Sequence, residues 1–216
     1  MKLIELSHRI EAGMITYKGL PGPVMCDFLS REASRANYDG GDEFLIQRVD
    51  MVGNSGTYLD SPYHRYADGA DLADLPLEKL AHLDALVIDA GGDLGIDVGA
   101  FADMDVAGRA VLVRSGWDRH WRTDAYFENH PFLTRAAAEY LVAGGAALVG
   151  IDSHNIDDTR TRGRPVHTIL LGAGIPICEH MTNLGALPPS GARFYATPPK
   201  MVAVGTFPVR AFAMIA

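Results

Sequence analysis

Short apolar stretches rich in β-branched residues recur along this chain and predict β-strands. Each stretch is four to eight residues long and is bounded by Gly, Pro or Asp, as strands usually are. The predicted strands cover residues 45–52, 85–89, 110–113, 147–151, 168–171, 200–204 and 209–215.

Helical patterns are fewer than strand patterns. Residues 134–143 predict a helix that stops at Gly144-Gly145, and residues 76–83 predict a shorter one that opens with a proline. Residues 91–105 and 152–164 predict loops. Strands with few helices between them indicate an α/β or α+β fold, in which a mixed sheet carries the active-site loops. A length of 216 residues fits one domain, 1–216.

The composition is that of an ordinary globular protein, with 48% apolar and 21% charged residues. A formal net charge of −8 argues against a nucleic-acid partner and against binding to anionic lipid, and it favours a small-molecule substrate. The N-terminal residues turn polar within a few positions, and no run approaches the roughly 18 apolar residues of a membrane helix. Cys26 and Cys178 are too few for a disulfide framework or a structural zinc site, so we expect a cytoplasmic location.

An acidic residue and a histidine lie four positions apart in the Gly- and Pro-containing segment 53–64. Asp60 and His64 can turn into one cleft if the backbone between them is rigid. A carboxylate can bind a metal ion, and a histidine with an unperturbed pKa of about 6.5 can transfer protons near neutral pH. A capped turn with a structural histidine explains the same residues equally well.

A second group of polar residues lies near the end of the chain. His167 follows Pro165 and precedes an apolar run, which predicts a ring that projects from a strand end into a cleft. Glu179 lies in an apolar context, where an ionised carboxylate is costly unless a cation is beside it. We therefore expect a metal ion or a protonated histidine next to Glu179. Alternation along a strand predicts that Cys178 and His180 point away from it.

Together the two groups resemble the cyclase family, whose best known members are bacterial kynurenine formamidases and isatin hydrolases. That family carries the pattern HxGTHxDxPxH and, later, a histidine followed twelve residues on by a glutamate. The pattern aligns here with Asn54, Gly56, Thr57, Tyr58, Asp60, Pro62 and His64, and then with His167 and Glu179. Other landmarks of the family follow in the same order, from Leu6-Ser7-His8 to Thr182-Asn183-Leu184.

The resemblance implies a swivelling β/β/α-type single domain that assembles as a homodimer or homotetramer. It also implies that Asp60, His167 and Glu179 hold a divalent metal ion, zinc or manganese, and that His64 and Glu179 are catalytic. His64 is the expected acid/base.

Asn54 and Tyr58 stand where the family has two histidine ligands. An amide or a protonated phenol is a poor ligand for zinc, so we expect at most one metal ion, or none. Asn54 and Tyr58 are instead predicted to contact the substrate. Tyr17 and Trp117 are predicted to line the substrate pocket, although large aromatic residues are more often part of a core.

These features predict a hydrolase that opens an amide, lactam or ester bond of a small substrate, such as an aromatic formamide. One alternative is a metal-free enzyme in which the same residues form an acid/base set, and another is an inactive relative that serves as a binding protein. Arg160, Arg162 and Arg164 could bind an acidic substrate, but a solvated loop is the simpler explanation.

Overall fold

The computed structural model describes residues 1–215. The helices are α1 (Arg31–Ser34), α2 (Arg135–Ala143) and α3 (Pro165–Gly172). The strands are β1 (Lys2–Glu5), β2 (Val24–Leu29), β3 (Ile46–Asp50), β4 (Tyr58–Asp60), β5 (Leu83–Asp89), β6 (Gly95–Ile96), β7 (Ala110–Arg114), β8 (Phe132–Leu133), β9 (Leu148–Ile151), β10 (Ile177–Glu179), β11 (Ser190–Tyr195), β12 (Thr206–Pro208) and β13 (Phe212–Ile215).

Nine strands form one mixed sheet in the order β1-β13-β11-β5-β7-β9-β10-β4-β12. The central strands β5, β7, β9 and β10 run parallel, and antiparallel strands extend the sheet on both sides. This mixed sheet, with its few helices, confirms the predicted fold class. Strands β2 and β3 form a separate two-stranded ribbon.

Apolar side chains cover both faces of the large sheet. One core cluster includes Leu59, Leu112 and Phe194, and the other lies against α2 and α3 and includes Val113 and Leu141. Burial on both faces explains why the central strands β7 and β9 are apolar almost throughout.

Several local predictions are confirmed. The predicted strands at 85–89, 110–113 and 147–151 coincide closely with β5, β7 and β9. The predicted helix at 134–143 is α2, and the Thr134 side chain caps it by accepting from the Ala137 N–H.

The strand predicted at 168–171 is wrong, because these residues belong to α3. Pro165 occupies the first turn of that helix, where its missing N–H costs nothing. The buried residues Val166, His167, Leu170 and Leu171 recur at helical and not at strand spacing. His167 therefore projects from the first turn of a helix, and not from a strand end as the sequence suggested.

Three other predictions need correction. Residues 200–204 form no strand and include a turn that precedes β12. Within 76–83 the structure has one 3-10 turn, Leu77–Lys79, before Leu83 enters β5. The predicted loop 91–105 contains the short strand β6 and a further 3-10 turn. Within residues 1–215 no helix has both the length and the apolar character needed to cross a membrane.

Candidate functional site

Strand register at one side of the large sheet places four polar side chains on a common face. Strand β4 lies between β10 and β12, with Tyr58 directly opposite Glu179 and Asp60 directly opposite Thr206. Tyr58 and Asp60 are two positions apart, so both point to the same face of the strand. Leu59 and Cys178 alternate with them and enter the core on the other face.

Glu179 is buried and is held by two donors. Its Oε2 accepts from the Tyr58 hydroxyl at 2.5 Å, and its Oε1 accepts from the Ile156 N–H at 2.6 Å. Burial raises the pKa of Glu179, and the nearby Asp60 carboxylate acts in the same direction. Burial, with the charge of Glu179, also raises the pKa of Tyr58 well above its ordinary value, so the phenol keeps its proton and donates it.

A hydroxyl group links Asp60 to His64. Thr206 donates its hydroxyl proton to Asp60 Oδ1, and its Oγ1 lies 2.7 Å from His64 Nδ1. Because a hydroxyl carries one proton, Thr206 must accept from His64 Nδ1–H, which leaves the lone pair of the imidazole on Nε2. The side chain of His64 is 36% exposed, so this nitrogen is available to a ligand in the cleft.

His64 lies in the 3-10 turn Pro62–His64 that directly follows β4. The loop before β12 packs tightly against this turn. A Cβ at Gly205 would lie 2.6 Å from the backbone nitrogen of His64, so only glycine fits there.

Asp157 orients His167. Its carboxylate accepts from the N–H groups of Val166 and His167 at 2.8 and 3.0 Å, and from His167 Nδ1 at 2.7 Å. The same side chain thus satisfies the first turn of α3 and fixes the tautomer of the imidazole. His167 Nε2 is left to face the sheet.

The facing groups on the sheet are carboxylates. His167 Nε2 lies 3.7 Å from both Asp60 Oδ2 and Glu179 Oε1, beyond hydrogen-bond distance. Burial lowers the pKa of His167, but the charge of Glu179, the hydrogen bond to Asp157 and the nearby Asp60 carboxylate outweigh it and raise that pKa well above its ordinary value. Asp60 Oδ2 is buried and has no hydrogen-bond partner among the described residues. One carboxylate oxygen beside the His167 imidazole is therefore left without a donor within residues 1–215.

These donors fit a divalent metal ion. The donor atoms of Asp60, His64 and His167 all lie within 4.8 Å of one another, as atoms that share one ion can. Glu179 faces the same imidazole nitrogen as Asp60 but lies outside this group of three. Two ligand sets are therefore candidates, and both contain Asp60 and His167. The third ligand is Glu179 in one set and His64 in the other.

A cavity of about 670 Å³ opens above these groups. Tyr58, His64, His167 and Glu179 line it, together with the predicted substrate contacts Tyr17 and Asn54. Trp117 is not among the lining residues within 1–215. Its indole N–H donates instead to the Tyr126 carbonyl at 3.0 Å.

His180 points away from the cavity into a group of aromatic rings. Its ring centroid lies 5.0 Å from that of Tyr58 and 5.5 Å from that of Trp121. Cys178 and His180 therefore flank Glu179 without joining the cavity, as strand alternation predicts.

Sequence reasoning missed two residues of the site, Asp157 and Thr206. Asp157 lies seven residues before Arg164-Pro165, too far for the usual spacing of a capping residue, so no local signal marks it. Thr206 follows a Gly and leads into a short apolar strand, and we find no signal in the sequence that separates it from other strand threonines.

Known proteins resemble this chain in sequence and in fold. The family model Cyclase, described as "Putative cyclase", matches residues 4–158. The kynurenine formamidase of Erythrobacter litoralis (strain HTCC2594) is 32% identical over 171 residues, which cover 76% of this chain and 74% of that protein. The family match ends before His167 and Glu179, so their place in the site depends on the geometry given above.

Solved structures share the whole fold. An isatin hydrolase bound to the product analogue thioisatinate has a TM-score of 0.80 at 22% identity, with 99% of this chain and 92% of that chain covered. A structure described as a potential metal-dependent hydrolase with cyclase activity also has a TM-score of 0.80, at 26% identity, with 98% and 96% covered.

Proposed function

We propose a function from one premise: this chain belongs to the cyclase family. It is a hydrolase that acts on the amide bond of a small substrate. The observation that carries this conclusion is that His64, His167 and Glu179 line one cavity, with Asp60 buried directly beside the two histidines. More than a hundred residues separate the Asp60–His64 pair from His167 and Glu179 along the chain.

Asp60, His167 and Glu179 are the residues that would hold a divalent metal ion. Carboxylate and imidazole donors without sulfur suit zinc or manganese. An ion bound there would polarise the scissile carbonyl and lower the pKa of a bound water. We assign Glu179 as the third ligand because its Oε1, like Asp60 Oδ2, lies 3.7 Å from His167 Nε2.

His64 is the acid/base of the reaction. Its Nε2 accepts a proton from the attacking water and then returns that proton to the leaving amine. Thr206 keeps the imidazole in the tautomer that makes Nε2 basic, and the Asp60 carboxylate orients Thr206. A proton-transfer group positioned in this way typically contributes 10² to 10⁴-fold to the rate.

Tyr17 and Asn54 contact the substrate from the cavity wall. Tyr58 also lines the cavity, but its hydroxyl is engaged with Glu179, so its main role is to position that carboxylate. A cytoplasmic location is part of this proposal.

Metal content and turnover of two histidine variants test the proposal. The wild-type protein, loaded with zinc or manganese, should hydrolyse an aryl formamide such as formanilide. His64→Gln should keep the ion and lose about 10² to 10⁴-fold of kcat, whereas His167→Gln should lose both the ion and activity. His82→Gln is the control, because His82 lies outside the cavity lining. Loss of the ion from His64→Gln would instead make His64 the third ligand.

We also propose that the chain forms a homodimer or homotetramer through the ribbon β2–β3. All but one residue of the two strands are exposed, including Val24, Phe28 and Val49, which are 59%, 78% and 51% exposed. An isolated two-stranded ribbon is marginally stable in water, so packing against a further surface would stabilise this one. In a symmetric assembly, a second copy of this chain would cover the exposed ribbon.

Sedimentation at micromolar concentration tests the assembly. The wild-type chain should sediment as a dimer or tetramer of the 23.3 kDa subunit. Phe28→Ser should shift it toward the monomer, whereas Leu77→Ser, at an exposed residue away from the ribbon, should not. A wild-type monomer would contradict the proposal.

A further inference from the structure

Basic side chains surround the outer part of the cavity. Arg65, Arg162 and Arg164 line it together with Lys18, and we call these four residues the basic rim. They come from three separate segments of the chain. A concentration of cations at one opening stands out in a chain whose formal net charge is −8.

The three arginines of the basic rim have no carboxylate partner within the described part of the chain. Arg162 makes no hydrogen bond or ion pair there, and Arg65 Nε donates only to the Thr168 hydroxyl, at 3.3 Å. Arg164 Nη1 donates to the backbone carbonyls of Asp158, Thr161 and Gly163, at 3.3, 2.8 and 2.7 Å. These bonds orient its guanidinium without neutralising it.

Arg160, in the same loop, is the contrasting case. Its Nε and Nη2 both lie 2.9 Å from the Asp158 carboxylate, and Arg160 does not line the cavity. Arg160, away from the cavity lining, is therefore the paired arginine of this loop. The arginines that line the cavity stay unpaired and available to an anion.

The cavity is consequently polarised from its floor to its mouth. Glu179 and His167 are buried at the floor, beside Asp60, whereas Arg65 and Arg162 are exposed. The exposed guanidinium groups of the basic rim attract an anionic substrate group at the mouth, before it reaches the floor. The charge distribution thus sets the direction in which an anionic substrate enters.

We propose that the substrate carries a carboxylate, which the basic rim binds while the scissile amide lies at the floor. Guanidinium groups bind carboxylates through paired N–H donors, and this geometry adds orientation as well as affinity. The inference depends on the proposed hydrolase function, since it names the substrate class of the same site.

Two matched probes test the inference, 4-formamidobenzoate and its uncharged isostere 4-formamidobenzamide. The para position keeps the carboxylate away from the formamide, so both groups cannot share one ion at the floor. For the metal-loaded wild-type protein, kcat/KM for formamide cleavage should be at least 10-fold higher with the benzoate. Added salt should reduce that ratio, because screening weakens exposed charge pairs.

Variants of the two arginines locate the effect. Arg162→Gln should lower the benzoate-to-benzamide ratio by about 10-fold, and Arg160→Gln should leave the ratio unchanged. Equal kcat/KM values for the two probes in the wild type, or an unchanged ratio in Arg162→Gln, would overturn the inference.

Binding measurements separate this inference from the proposed function. If neither probe is hydrolysed, the Kd of each is measured by calorimetry with wild type and Arg162→Gln. Tighter binding of the benzoate by the wild type, weakened about 10-fold by Arg162→Gln, supports the basic rim even though the activity is absent. Benzoate binding no tighter than benzamide binding overturns it.

Discussion

The two walls of the cleft are built in different ways. On the sheet wall, strand register places Asp60 opposite Thr206 and Glu179 opposite Tyr58, and hydrogen bonds follow from that pairing. On the helix wall, His167 is held by the single carboxylate of Asp157, which also accepts the first N–H groups of α3.

Because of this difference, the two walls should tolerate single substitutions to different degrees. Loss of one side chain from the sheet wall leaves the backbone pairing of β4 with its neighbours intact. Loss of Asp157 removes the helix cap and the histidine anchor together. The walls can therefore be told apart by single substitutions.

The largest effect is expected from Asp157→Asn. The amide keeps the shape of the side chain but turns one acceptor into a donor that faces backbone N–H groups. We expect the free energy of unfolding to fall by about 2 kcal/mol and metal affinity to fall by roughly 100-fold. Urea denaturation and metal titration measure these quantities.

Asp158→Asn is the matched control for this change. Asp158 is the next residue and pairs with Arg160 at the surface, so its substitution should cost less than about 1 kcal/mol. If both variants lost the same amount of stability and metal affinity, Asp157 would not be the residue that positions His167.

The second-largest effect is expected on the sheet wall, where Asn54→His combined with Tyr58→His should increase metal binding. The surrounding residues Gly56, Thr57 and Asp60 still match the family pattern, so two imidazoles should complete a ligand set with Asp60. We expect metal affinity to rise by at least about 10-fold, as measured by competition with a chelator. No gain in affinity would mean that Asn54 and Tyr58 do not occupy ligand positions.

The smallest effect is expected from Tyr58→Phe. The change removes one of the two donors to Glu179 and should cost about 1 to 2 kcal/mol, because a buried carboxylate oxygen is left without its donor. The Ile156 N–H still holds Oε1, so metal affinity should change less than in Asp157→Asn.

Tyr126→Phe provides the comparison for Tyr58→Phe. The Tyr126 hydroxyl is also buried but has no hydrogen-bond partner among the described residues, so its removal should change stability by less than about 0.5 kcal/mol. Chemical denaturation of both variants measures the difference. A larger loss from Tyr126→Phe would contradict the assignment of Tyr58 as the anchor of Glu179.

The site was partly predictable because the candidate chemistry lies in short local patterns. Asp60 and His64 are four residues apart, and Glu179 lies in an apolar strand where a carboxylate needs a cation. The structure places His167 beside both carboxylates. The prediction at 168–171 is wrong because a short apolar run fits either a strand or a buried helix, and Pro165 in the first turn favours the helix.

By itself, the sequence determined the mixed α+β class, the position of α2, the cyclase-family resemblance and the residue types of the cleft. These features depend on local spacing, which neighbouring residues impose on one another. Only the tertiary structure decided that Thr206 lies opposite Asp60, that Asp157 holds His167, and that unpaired arginines surround the mouth of the cavity. Strand register and loop placement follow from the packing of distant segments, and no local pattern encodes such contacts.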